Sequence, residues 1–357
     1  MISYLLRRLL LVIPTLIGMT MLVFFVMALS PGGAGADLGR GEGMRPEERR
    51  ALQKYLNERY GLDKPLIVQY LRWLNRVSPI GLKVKEDGSL GAPTFKTPDL
   101  GHSFILHRSV GDLMKEHLPL TLLLNSVSLP LVYITAVFLG MQAAKKRGGT
   151  MDVSMGTVML GLWSVPVIWA GVMLQGFLTS EEYFRWFPTV GMHDVKAETM
   201  TFLPSGDAPP GIHRGWLLDT TWHLILPILC LTYGQFAYLT KLARTAMLEM
   251  MNADFVRTAR AKGVEEKNVL YQHVLRNSLI PLITVAAHIL PAMIAGSVVV
   301  ESIFGIDGMG RLLVGAVQQR DRELVLSVTL VAGALGLAGY LLADIGYAIA
   351  DPRVTYE

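Results

Sequence analysis

The chain alternates between long stretches without charge and shorter, highly charged ones. Six stretches contain no Asp, Glu, Lys or Arg: Leu9–Ala36, Leu118–Ala144, Val153–Ser180, Thr220–Thr240, Asn277–Val300 and Leu324–Ala343. They run for 28, 27, 28, 21, 24 and 20 residues. A helix needs about 20 apolar residues to cross roughly 30 Å of hydrocarbon. Buried strands of soluble α/β domains run only about 4–8 residues. The pattern predicts an all-α polytopic membrane protein with six transmembrane helices.

The first stretch follows Arg7 and Arg8, as a signal peptide would, and Ala34-Gly35-Ala36 resembles a cleavage site. Its apolar run from Leu9 to Leu29 covers 21 residues. Signal cores cover about 7–15, so a retained first helix is expected. Basic residues then orient the chain. With the amino terminus in the cytoplasm, the inside segments 1–8, 145–152, 241–276 and 351–357 hold 2, 3, 7 and 1 Lys or Arg. The short outside segments 181–219 and 301–323 hold 3 each. This bias favours both termini inside. Segment 37–117 carries 14 basic residues and lies outside on this reading, which long loops tolerate.

The domain plan follows. Residues 1–36 form a cytoplasmic start and the first span, and 37–117 an external subdomain. Residues 118–350 form a membrane core that includes the cytoplasmic loop 241–276, and 351–357 a tail. Within the external segment, Pro46-Glu47-Glu48 suits a helix start, with Leu52, Tyr55, Leu56 and Tyr60 at helical spacing and Gly61 as a stop. Leu66–Leu74 reads as a second short helix. Residues 78–98, with Pro79, Pro93, Pro98 and Asp87-Gly88, read as turns. The last span holds the small-residue pairs Ala332/Gly336 and Gly339/Ala343, which allow close helix packing in lipid.

Composition sharpens this picture. Charged residues make up 17% of the chain, against about 25% in soluble domains. The deficit is confined to the spans. The net charge of +4 sits largely on loops and points to no nucleic-acid partner. A single cysteine, Cys230, excludes an intrachain disulfide.

The loop between the fourth and fifth spans is the most informative segment. Asn252 or Asp254 can cap a short helix, Lys262 suits its negative end, and Gly263 can stop it in a left-handed conformation. Arg257, Arg260 and Lys262 bring charge. Ala259, Ala261 and Gly263 are small and permit close approach. Such a helix fits a cleft in a cytoplasmic partner, or a surface of anionic lipid headgroups. A second helix starts at Glu265-Glu266 and runs to Arg276-Asn277.

Catalytic signatures are missing. There is no phosphate loop of the form Gly-x-x-x-x-Gly-Lys-Ser/Thr, no His-Glu-x-x-His, no Cys-x-x-Cys and no Gly-x-Ser-x-Gly. No cofactor, no metal and no enzymatic activity are expected in this chain. Among polar groups near the spans, Glu301 and Asp344 read as structural and His223 as interfacial. His288, central in the fifth stretch, is a candidate for lining a pathway.

Thr258-Ala-Arg-Ala-Lys-Gly263, followed by His273 and Leu275-Arg-Asn277, resembles the signature loop of permease subunits of binding-protein-dependent ABC importers. Within them it is similar to the dipeptide/oligopeptide branch, first-permease type. The resemblance runs along the whole chain. It includes Tyr4-Leu-Leu-Arg-Arg8, Tyr60-Gly-Leu-Asp-Lys-Pro65, Asp99-Leu-Gly-His-Ser-Phe104 and Leu118-Pro-Leu-Thr121. It continues with His223-Leu-Ile-Leu-Pro227, Glu301-Ser-Ile-Phe304 and Asp351-Pro-Arg353. It implies a type I importer permease fold that pairs with a second, similar permease. It also implies two cytoplasmic ATPases that bind ATP and magnesium, and an external solute-binding protein. Residues 254–263 would then be the helix that couples to an ATPase.

Two departures stand out. Arg257-Thr258-Ala259 occupies the slot where the general signature has Glu-Ala-Ala, as is usual for the peptide branch. Segments 78–98 and 192–215 read as insertions. The leading expectation is ATP-driven import of peptides or peptide-like solutes by alternating access. The alternatives are an ion-gradient-driven secondary transporter and an intramembrane hydrolase using His288 and Asp344.

Overall fold

The computed structural model describes residues 2–29, 63–84, 90–103, 105–206, 213–286 and 297–350, together with Glu47, Lys54 and Asn57. The expected helix around 46–60, His288 and the terminal Asp351-Pro-Arg353 lie outside the continuous described segments. Four described helical spans are long and apolar enough to cross a membrane: Arg7–Leu29, Val110–Lys145, Gly215–Met251 and Arg322–Leu341. A bent pair supplies a fifth if it counts as one span.

In chain order the helices are α1 (Ile2–Leu29), α2 (Leu66–Val77), α3 (Val110–Lys145), α4 (Thr150–Ser164), α5 (Val167–Leu178), α6 (Gly215–Met251) and α7 (Asp254–Ala261). After them come α8 (Glu266–Asn268), a π-helical turn (Val269–Leu275) and α9 (Arg276–Ser278). Then follow α10 (Ile280–Ala286), α11 (Val298–Ile303), α12 (Met309–Gln318) and α13 (Arg322–Ala350). Prolines 14, 119, 130 and 227 sit inside long helices without ending them.

Two expectations need correction. The stretch Val153–Ser180 is not one straight helix. It breaks between α4 and α5 by 90°. Pro166 has no N–H to donate and pushes the preceding residue out of the helical region. Val165 accordingly adopts φ −85°, ψ 120°. Nor is the chain all-α. Within residues 78–98, expected as turns, β1 (Ile80–Val84) and β2 (Leu90–Phe95) pair antiparallel, Ile80↔Phe95 and Val84↔Leu90, with an irregularity between Leu82 and Val84. Asn75 fastens β1: its Oδ1 accepts from Leu82 N at 2.7 Å and its Nδ2 donates to Leu82 O at 3.1 Å.

The chain divides into two compact units. One comprises Leu6–Glu116 and Leu312–Ala334. Its core joins Phe24, Tyr70, Trp73, Val77 and Leu326. Within this unit α2 therefore packs onto α1 and the start of α13. Tyr70 donates to Ile17 O at 2.9 Å, and its hydroxyl lies 3.0 Å from that of Thr20. Beneath α2 lies a buried charged cluster. Arg76 pairs with Glu323, Ser103 donates to Asp321, and Arg322 donates to Gln69 Oε1 at 2.8 Å. The Asp99-Leu-Gly-His-Ser segment wraps this cluster. Leu100 O accepts from Ser327 Oγ at 2.7 Å, and Gly101 has φ +81°. A Cβ there would stand 2.7 Å from Glu323 Oε2, so glycine alone fits both the angle and the space.

The other unit comprises Met1–Leu5, His117–Arg311 and Leu335–Glu357. One core cluster joins Leu124, Leu224, Cys230, Val300 and Phe304. A second joins Val132, Ala136, Leu239, Ala243 and Leu282. Glu301 is fully buried, and its structural role is visible. It accepts from Thr121 Oγ1 at 3.1 Å, Ser297 N at 3.2 Å and Arg311 N at 2.8 Å. Thr121 Oγ1 in turn accepts from Met309 N at 2.8 Å. A carboxylate at the amide-rich start of α12 satisfies donors that the helix leaves open. Gly308 is forced here, because a Cβ would meet Glu301 and Thr121 within 2.6 Å.

Candidate functional site

The loop that follows α6 folds as a compact pad. α6 ends at Asn252, whose side chain donates back to Leu248 O at 3.0 Å. Asn252 thus closes α6 and does not cap α7. The N-cap of α7 is Ala253, with no side-chain capping bond. Asp254 occupies the first turn, where its charge favours the positive end of the helix dipole. Its carboxylate lies 3.4 Å from Arg257 Nη1.

The end of α7 matches the expectation for Gly263. Gly263 takes φ +75°. Its N–H donates to Arg260 O at 2.9 Å, and Val264 N–H donates to Ala259 O at 3.2 Å. These two bonds form a Schellman closure, which uses carbonyls that would otherwise lack partners. Val264 packs on the same cluster as Ala259, which supplies the apolar contact of that motif.

α7 has two faces. Val256 and Ala259, three residues apart, are buried against Met141, Ala144, Met247, Val269, Leu270 and Val274. Ala259 is therefore committed to this chain's own core. The opposite face exposes Asp254, Phe255, Arg257, Thr258, Arg260, Ala261, Lys262 and Gly263. Phe255 is 41% exposed and had no part in the sequence reading. Nothing in its apolar character marks it as outward; only the placement of Val256 and Ala259 on the inner stripe does.

The second helix of the pad is not uniform. α8 starts at Glu266 as expected, but Val269–Leu275 winds as a π-helix before α9 resumes. Arg260 reaches across with a two-pronged bond to Glu266, at 3.0 and 2.7 Å. That guanidinium holds the Glu266 carboxyl below its ordinary range. Lys145 Nζ sits 5.7 Å from the Tyr271 ring centre. At the base of the pad, Arg244 binds Asp152 through Nε at 2.5 Å and Nη2 at 2.7 Å. The pad offers exposed basic groups around one aromatic ring on a braced short helix. Among the described residues no group of His, Cys, Asp or Glu could hold a metal ion.

The chain matches two family models. Residues 136–356 match the binding-protein-dependent transport system inner membrane component. Residues 1–125 match the N-terminal region of the same kind of membrane component. Curated relatives align over full length. The oligopeptide transport system permease protein AppB of Bacillus subtilis is 36% identical, with 100% of both chains covered. A putative peptide transport system permease of Brucella abortus is 35% identical over 100% of both chains. The di/tripeptide transport system permease DppB of Pseudomonas aeruginosa is 32% identical, again over 100% of both. Long apolar helices and full-length matches thus agree, and the chain belongs to the binding-protein-dependent transport system inner membrane components, as a membrane permease subunit and not an enzyme.

Proposed function

We propose that this chain is one permease half of an ATP-driven importer of peptides or peptide-like solutes. It pairs with a second, homologous permease. Two cytoplasmic ATPases bind ATP and magnesium and drive the pair, and an external binding protein delivers the solute. Six spans with both termini inside, the external segment 37–117 and the membrane core 118–350 complete the arrangement. The peptide relatives that align from end to end support this cargo.

The observation that carries the coupling assignment is the two-faced helix α7. Its inner stripe, Val256 and Ala259, anchors it to the ends of α3 and α6. Its outer face, with Phe255, Arg257, Thr258, Arg260, Ala261, Lys262 and Gly263, is then free to dock on an ATPase. Buried aromatic and Arg anchors commonly dominate such interfaces. Movement of the docked helix passes directly into α6, because α7 begins three residues after Met251. Alternating access follows if nucleotide binding favours one of two packings.

The test uses the assembled complex. Phe255→Ala is expected to release the ATPases during purification and to lower ATP-dependent uptake at least tenfold, while the permease pair still inserts. An interface aromatic of this kind costs about 2 kcal/mol or more when truncated. Full ATPase retention and normal uptake in Phe255→Ala combined with Arg257→Ala would falsify the coupling assignment.

A further inference from the structure

The break between α4 and α5 falls at residues 164–166, in the middle of the charge-free stretch Val153–Ser180. α4 has 15 residues, about 22 Å at 1.5 Å per residue, and does not cross a bilayer alone. Backbone that leaves the helix at membrane depth is tolerated only where it is covered by protein or lines a water-filled cavity. One carbonyl at the break is covered: Tyr233 donates its hydroxyl to Val165 O at 2.7 Å. Ser164 and Pro166, however, are exposed, and the start of α5 has no capping side chain. Its first-turn amides lack helical acceptors. Lipid cannot serve them.

A groove of about 670 Å³ adjoins this break. It runs between α4 and α6 from Trp163 to the Asp152–Arg244 pair, past Gly156, Thr157, Tyr238 and Thr240. Its size is that of a small-ligand site. Two observations set it apart from a lipid-facing furrow. Thr240 is 1% exposed, lines the groove, and its Oγ1 has no hydrogen-bond partner. A buried hydroxyl left unpaired is costly unless something binds it in use. At the far end stands an ion pair, which supplies both signs of charge.

We infer that this groove, from the α4–α5 break to the Asp152–Arg244 pair, is this chain's wall of the solute path. It rests on the import function proposed above. The occupant is a hydrated peptide-type zwitterion. Apolar walls accommodate varied side chains, hydroxyls and freed backbone groups meet the peptide backbone, and Arg244, whose side chain stays 33% exposed beside Asp152, meets the carboxylate. Gly156 has nothing within 4 Å of an added Cβ, which leaves room there.

Cysteine chemistry tests this cleanly, since Cys230 is the single cysteine and is buried. In the full complex in proteoliposomes carrying Cys230→Ala, Thr157→Cys and Gly156→Cys, both on the groove lining, are introduced singly. Val158→Cys is the control, because Val158 is exposed on α4 and does not line the groove. The probe is a charged, membrane-impermeant thiol reagent. The inference expects the two groove positions to react at least tenfold faster than Val158→Cys, with rates that change when the ATPases are trapped with vanadate. Rates as slow as the control at both positions mean lipid or a dry permease–permease contact fills the groove, and the inference fails. Thr240→Val is a second arm. It should keep or raise thermal stability and lower uptake of labelled trialanine several-fold; unchanged uptake counts against the path. ATP-dependent uptake by the unmodified complex is measured separately. If that uptake is absent while the groove still labels, the peptide reading fails and the path assignment stands.

Discussion

At the residue scale, two positions show how tightly single groups are used. Gly263 closes α7 with φ +75° and has open space around it. Gly263→Ala therefore tests backbone strain alone, about 1–2 kcal/mol for a side chain in the left-handed region. The expected outcome is a lower melting temperature for the pad with little loss of contacts, measured on the purified complex. Glu301 is different, because its carboxylate accepts three donors in the dark of the core. Glu301→Gln removes acceptor capacity and turns an amide against facing N–H groups. A loss of about 1–3 kcal/mol is expected, read by thermal unfolding. Gly263 was legible in the sequence because a glycine after a basic helix end has one common use. Glu301 was legible only as structural, since its partners Thr121 and Arg311 N–H are distant in sequence or belong to the backbone.

At the element scale, α7 and α8 act as one braced unit. The brace is the Arg260–Glu266 pair, in which Glu266 remains 64% exposed. Such pairs contribute less than about 1 kcal/mol. The carboxyl is held low in the folded loop, so its contribution is present above the unfolded pKa. It fades as pH falls through the lowered folded value. Wild type and Glu266→Gln should therefore differ slightly in thermal stability near neutral pH and converge in acid below the ordinary carboxylate range. A difference that grew with acid would contradict the pairing.

The same scale shows where periodicity misleads. Val256 and Ala259 define the inner stripe of α7, yet alanine between two arginines reads as a contact residue. The π-turn at Val269–Leu275 has no sequence mark that separates it from an ordinary helix. The β1–β2 pair hides because proline and glycine suit both loose turns and paired edge strands. The break at Pro166 is equally ambiguous, since Pro130 and Pro227 sit within unbroken helices.

At the scale of the whole molecule, charge-free length gave the class of protein directly. The internal organisation was harder to read. The buried cluster of Arg76, Asp321, Arg322 and Glu323 ties α2 to the start of α13 across some 250 positions. No local pattern marks those four charges as inward. Function at this scale depends on subunits beyond the chain. Uptake by the reconstituted complex should require ATP on the cytoplasmic side and persist when a protonophore collapses the proton gradient. Loss of uptake with the protonophore while ATP is plentiful would favour a secondary transporter.

One feature reaches back to the birth of the protein. Segment 241–276 carries seven basic residues. In the folded pad, Arg244 is bound to Asp152 and Arg260 to Glu266. Neither bond exists while the chain is still emerging. Under the proposed orientation, the insertion machinery meets all seven as open charges and keeps the segment inside. On the proposed docking, the folded loop presents a milder surface to the ATPase. One short stretch thus carries an address that is read once and then partly erased by folding.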